Sequence, residues 1–196
     1  MNQARSPLVW GLVLITLGAL FLLQSLGIVG SVMAPLWVLI FALGGGVFLY
    51  FFWTDRAGRW WAVIPGLALI GIASVIALGE LWPRADALGG ALFLAALSLA
   101  FWAVYLTRRE QWWAIIPGGA LATLALVAAL DTIRLPIDTG GIFLLGLGAT
   151  FLLLALINTT QGRMKWALIP AGVLIVLGLV VTFESARMLP VMGPLM

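Results

Sequence analysis

The sequence has neither cysteine nor histidine among its 196 residues. Without cysteine there can be no disulfide, thiolate metal site, Fe–S cluster or thiol nucleophile. Without histidine, histidine-ligated haem, the commonest zinc ligand and a Ser-His-Asp triad are excluded as well. Charge is also scarce, at 9% of residues, against about 25% in an ordinary soluble domain. With 64% hydrophobic residues, a soluble fold of this length could not cover its own core, and the natural solvent is lipid. No cofactor is expected. The net charge is +3, but the basic residues lie scattered between apolar runs and form no stripe, so nucleic acid is not an expected partner.

What is abundant is apolar sequence punctuated by charge. After Arg5 the next charged residue is Asp55, and residues 6–54 are too long for one membrane crossing of about 20 residues. The stretch from Gly27 to Pro35, with its glycines and proline, divides them. The later uncharged runs, 60–79, 87–107, 111–130, 139–162 and 166–183, each suit one helix across about 30 Å of hydrocarbon. Barrel strands would be shorter and would alternate polar with apolar residues. The expected fold is therefore an all-α integral membrane protein with seven transmembrane helices, at 8–27, 34–54, 60–80, 87–107, 111–131, 139–159 and 165–184, followed by a tail at 185–196. The N-terminal run reads as a retained helix and not a cleaved signal, because Pro35 directly follows the candidate site at Ala34.

Lysine and arginine in the short loops set the orientation. With the N-terminus in the cytoplasm, Arg5, Arg56, Arg59, Arg108, Arg109, Arg163 and Lys165 lie inside, and Arg84, Arg134 and Arg187 outside. Trp53, Trp60, Trp61, Trp112, Trp113 and Trp166 flank the inner loops as an aromatic belt. A multi-pass plasma-membrane protein with its C-terminus outside follows. The glycosylation acceptor at Asn158-Thr159-Thr160 then falls on the cytoplasmic side and is discounted.

One motif recurs: Trp61-Ala-Val-Ile-Pro65-Gly66, Trp113-Ala-Ile-Ile-Pro117-Gly118 and Trp166-Ala-Leu-Ile-Pro170-Ala171. The near-constant period of about 52 residues holds two helices, so equivalent helices cross in the same direction. The expected architecture is a series of parallel two-helix repeats, 8–54, 60–107 and 111–159, with a final helix at 165–184. Tryptophan anchors the interface, proline sits in the first helical turn where a missing N–H costs least, and glycine admits a neighbouring helix. The helix at 8–27, with Trp10 near its start, reads as a worn copy.

The outer ends carry Glu80 with Arg84, Asp131 with Arg134, and Glu184 with Arg187. These six residues read as local acid–arginine pairs closing each helix, or as an acidic ring that docks a partner. Gly44, Gly45 and Gly46, Ala95, Ala96 and Ser98, and Gly146 and Gly148 read as helix–helix seams. No charged residue lies deep in a span; the deep polar residues are Thr16, Ser74, Ser98, Thr123 and Thr150. Ion carriers ordinarily bury an ionisable group, which argues against active transport. Met188, Met192 and Met196 could supply soft ligands, but Pro190 and Pro194 are expected to interrupt any helix that would align them.

The residues from Trp10 to Gly18, Leu22-Leu23, Leu26-Gly27, Pro35 to Ile40 and Leu43-Gly44 resemble the LiaI/LiaF-like transmembrane region of bacterial envelope proteins. The resemblance covers the first hairpin. It implies a bacterial plasma-membrane protein tied to envelope-stress sensing or to regulation of a partner. The reading that follows is a non-enzymatic scaffold, accessory subunit or regulator acting through helix contacts, with the lipid bilayer and another membrane protein or a second copy as partners. The alternative is a channel or transporter for a small or apolar solute. A lipid-modifying enzyme would need a polar cluster at one interface, for which Glu80, Asp86, Asp131 and Asp138 are the candidates.

Overall fold

The computed structural model describes residues 33–82, 87–133, 139–159 and 162–192, together with 11, 12, 14–16, 18, 19 and 22. The chain divides into two units, Met1–Trp37 and Val38–Met196. In the first unit the described residues before Met33 are helical, and the Thr16 hydroxyl donates to the Leu12 carbonyl at 2.8 Å. The rest of the expected helix at 8–27 lies outside the described residues.

Six helices follow: α1 (Met33–Thr54), α2 (Val63–Leu81), α3 (Gly89–Thr107), α4 (Ile115–Ile133), α5 (Thr139–Leu156) and α6 (Leu168–Met192). Each is long and apolar enough to cross a membrane. At 1.5 Å per residue even the 18 residues of α5 rise about 27 Å. Connections as short as Asp55–Arg59 cannot cross back over that length, so successive helices run antiparallel. Each helix from α2 to α6 packs mainly against its neighbours in sequence, and α1 meets α2 where Gly45 approaches Gly66 and Ile70.

No more than a third of the apolar stretch of any span is buried. The outward surfaces carry Leu43, Val47, Leu99, Leu126 and Val176, all well exposed. Such a surface would be untenable in water and is the ordinary one in hydrocarbon. The densest packing lies at one end, where α1, α3 and α5 finish and α2, α4 and α6 begin. There Phe52, Val63, Val104, Tyr105, Ile115, Leu154 and Met164 form one cluster with three alanines, Ala62, Ala114 and Ala167, each 0% exposed.

The expected spans from 34 to 131 agree with the helices to within a few residues. Two differences lie further on. The span expected to reach 159 ends at Leu156, and the polar connection makes a two-stranded ladder pairing Asn158 with Arg163 and Thr159 with Gly162. Gly162 has φ of +89°, a conformation glycine adopts freely and other residues avoid. The last helix, expected to end at 184 before a tail in which Pro190 interrupts any helix, is corrected, because α6 stays helical to Met192. Proline's fixed φ is compatible with helix, and so near the C-terminus its missing N–H removes one bond. Met196 lies outside the described residues.

Candidate functional site

The three motif copies sit at the packed end. Trp61, Trp113 and Trp166 are the middle residues of 3₁₀ turns, Trp60–Ala62, Trp112–Ala114 and Lys165–Ala167. Each turn is closed by the alanine N–H: Ala62 donates to the Arg59 carbonyl at 3.0 Å, Ala114 to Gln111 at 3.1 Å and Ala167 to Met164 at 3.0 Å. Pro65, Pro117 and Pro170 are the third residues of α2, α4 and α6. The N–H each lacks belongs to the first turn, where no intrahelical acceptor waits for it.

Each motif tryptophan meets a phenylalanine of the preceding helix edge to face. Phe48 lies 6.2 Å from Trp61 with rings at 72°. Phe101 lies 6.1 Å from Trp113 at 76°, and Phe151 lies 6.3 Å from Trp166 at 70°. Five positions after each tryptophan, a backbone carbonyl meets the preceding helix again. A Cβ added to Gly45 would stand 2.8 Å from the Gly66 carbonyl oxygen, and one added to Gly148 would stand 3.3 Å from that of Ala171. At the middle position the Ser98 hydroxyl donates to the Gly118 carbonyl at 2.7 Å. Gly45, Ser98 and Gly148 each lie three residues before the phenylalanine of their own helix. The same two contacts, in the same register, thus join α1 to α2, α3 to α4 and α5 to α6. The sequence marks Gly45, Ser98 and Gly148 as small seam residues but does not single out the phenylalanines. Their signal, a small residue then phenylalanine three later at spacings near 50, is hidden among ten phenylalanines.

Searches against protein-family models, curated proteins and solved structures return no match.

The remaining seams use side chains of similar size in different ways. Between α2 and α3, a Cβ on Gly71 would come 3.1 Å from that of Ala96. Between α4 and α5 the packing is reciprocal: Thr123 of α4 fills the space over Gly146, and Thr150 of α5 fills the space over Gly119. Both threonines are buried, and each hydroxyl donates at 2.9 Å to a carbonyl one turn back, Thr123 to Gly119 and Thr150 to Gly146. Their polar demand is met within their own helices.

The packed end carries cations on aromatic faces. The Arg56 guanidinium stands 4.0 Å over the Trp53 ring, Arg59 stands 5.5 Å over Phe51, and Arg109 stands 5.0 Å over Tyr105, whose hydroxyl it reaches at 3.1 Å. Arg108 ties two loops together by donating to the Ala57 carbonyl at 3.2 Å. It also pairs with Glu110 at 3.6 Å, the ion pair found among the described residues.

At the opposite end Glu80, Asp131 and Glu184 are exposed on α2, α4 and α6. Arg84, Asp86, Arg134 and Asp138 lie outside the described residues, as does the side chain of Arg187, so the expected acid–arginine pairs and the candidate enzymatic cluster fall outside them too. Among the described residues no three carboxylates gather as a metal site would require. Toward this end Leu78 of α2, Leu92 and Ala95 of α3, and Leu126 and Ala129 of α4 line an apolar groove of about 360 Å³.

Proposed function

We propose that this chain is a non-enzymatic polytopic membrane protein, a scaffold, accessory subunit or regulator that works through helix contacts. The observation that carries the reading is how the seams are closed. At Gly45, Gly119, Gly146, Gly148 and Gly178 even a methyl group would collide with the neighbouring helix, which leaves no room for a hydrated path along those seams. In lipid, contact at this range is what holds helices together, because the hydrophobic effect does not distinguish a neighbour from a lipid tail. The wide apolar outer faces then remain for lipid and for other membrane helices.

The architecture we propose is seven spans, with the helix at 8–27 preceding three parallel hairpins. The recurrent Phe–Trp and carbonyl contacts support a repeat. They also support cutting the 52-residue period before each inward helix, giving α1–α2, α3–α4 and α5–α6. The cations Arg56, Arg59, Arg108, Arg109, Arg163 and Lys165 at one end, against Glu80, Asp131 and Glu184 at the other, support an N-terminus in the cytoplasm. A bacterial plasma membrane is the setting that the LiaI/LiaF-like resemblance implies.

The apolar groove beside Leu92 and Leu126 is the observation that favours the alternative, passage of an apolar solute. The deciding experiment is ion and solute flux in liposomes holding the purified protein. The scaffold reading expects leak no greater than in empty liposomes. Saturable flux that falls in Glu80→Gln or Asp131→Asn would overturn it.

A further inference from the structure

We propose that the basic end of the bundle is a binding surface for the headgroups of anionic phospholipids, with Arg56, Arg59 and Arg109 as its phosphate-contacting residues. The inference rests on the membrane reading above and adds a ligand class to it.

The cations at this end divide by the contacts they already make. Arg108 is committed to structure, bonded to the Ala57 carbonyl and facing Glu110. Its bond across to residue 57 brings the loop at 55–59 beside the loop at 108–111. Asp55 is committed too, since its Oδ1 accepts the Gly58 N–H at 2.9 Å. Arg56, Arg59 and Arg109 differ from these. Each is exposed, and each holds its guanidinium over an aromatic ring, Arg56 over Trp53, Arg59 over Phe51 and Arg109 over Tyr105, to whose hydroxyl Arg109 also donates one N–H. The ring contact confines the planar guanidinium. The N–H donors lie in that plane, around the edge, and a forked pair of them matches two oxygens of a phosphate. An arginine held this way has less rotamer freedom to lose on binding.

Charge and position agree with this. The connections 55–59, 108–111 and 162–165 hold six basic residues, Arg56, Arg59, Arg108, Arg109, Arg163 and Lys165, against two acidic ones, Asp55 and Glu110. The difference, six minus two, is four positive charges. They stand at the level of Trp60, Trp61, Trp112, Trp113 and Trp166, where an indole belt marks the headgroup region. Trp60 and Trp113 meet at 6.4 Å, so two of the connections share one aromatic floor. A phosphodiester with net negative charge fits this surface. A zwitterionic headgroup brings its own cation close to the same arginines and fits less well.

The test reconstitutes the full-length protein in phosphatidylcholine vesicles containing an equal fraction of brominated phosphatidylglycerol or brominated phosphatidylcholine, and reads tryptophan quenching. The expected result is preferential quenching by the anionic lipid, with about five-fold tighter association for each arginine engaged, weakening as salt is raised. The preference should fall in Arg56→Gln, Arg59→Gln and Arg109→Gln, and survive in Glu80→Gln at the other end. Should the arginine variants fail to fold, the salt dependence of the unaltered protein still decides. Equal quenching by both lipids at low salt would overturn the inference, and so would a loss of the preference on adding inorganic phosphate that chloride at the same ionic strength does not cause, which would mean a soluble anion site. Quenching by neither lipid would instead overturn the membrane reading on which it rests.

Discussion

Adding one methyl group to a glycine should have opposite effects at two places in this protein. At Gly119 the new Cβ would lie 2.9 Å from the Cβ of Thr150 and nearer still to its Oγ1 and Cγ2. Helices α4 and α5 must part or Thr150 must leave its rotamer, and overpacking of this kind costs about 1–3 kcal/mol. Glycine to alanine within a helix returns about 0.5–1 kcal/mol, so Gly119→Ala is expected to lose up to about 2.5 kcal/mol net of that gain. At Gly46 nothing lies within 4 Å of the added carbon, and Gly46→Ala should stabilise by about 0.5–1 kcal/mol. Thr150→Gly removes all three atoms that the Gly119 methyl would meet. The double variant should therefore be more stable than the two single effects predict, by about 1–3 kcal/mol of coupling. Equilibrium unfolding in mixed micelles, followed by tryptophan fluorescence, measures all four proteins. If Gly119→Ala behaved like Gly46→Ala, or if the pair were additive, the reciprocal seam would not be what joins these helices.

Three further outcomes are expected. Ser98→Ala removes the bond from α3 to the Gly118 carbonyl and should cost about 0.6 kcal/mol, the average for such bonds between membrane helices, in the same titration. Phe101→Leu and Trp113→Leu should show a coupling of about 0.5–1.5 kcal/mol for the lost edge-to-face contact, read as a double-mutant cycle. A reporter fused after Met196 should be active outside the cytoplasm, because seven spans with an internal N-terminus leave the C-terminus out; activity inside would mean a span had been miscounted.

Charge made the helix ends legible. A basic or acidic side chain in hydrocarbon is expensive, so Asp55, Arg59, Arg108 and Glu110 mark where spans stop, and the observed ends at Thr54 and Thr107 fall beside them. Which face of a helix points inward was far less legible. In a soluble helix polar residues label the outside, but the apolar spans of α1, α3 and α6 carry no polar stripe, and only small residues hint at a seam. Gly45, Gly146 and Gly148 could be named on that basis. Phe48, Phe101 and Phe151 could not, since phenylalanine faces lipid as readily as it faces a neighbour. The ladder at 158–163 escaped for another reason. Asn158 and Thr159 fall within an uncharged run, and a rule built on charge extends the helix over them.

The contacts themselves show what the fold constrains at each position. Where α1 crosses α2 and where α5 crosses α6, glycine brings backbone against backbone at the carbonyls of Gly66 and Ala171. Where α3 crosses α4 the corresponding residue is Ser98, and the carbonyl of Gly118 gains a hydrogen bond in place of closer van der Waals contact. Both solutions satisfy one requirement, a residue small enough to let the Phe–Trp contact form one turn away. That requirement is local: the helices it joins are adjacent in sequence, and their connections are short, so closing each contact costs little loop entropy. Stability in such an array is close to a sum of neighbouring interfaces. A substitution at one crossing should then loosen its own hairpin and the next, and leave the far one unaltered. A protein held together in this way keeps its outer faces free of structural duty. Those faces, and the arginines at one end, are where recognition by lipid or by another helix can vary without disturbing the fold.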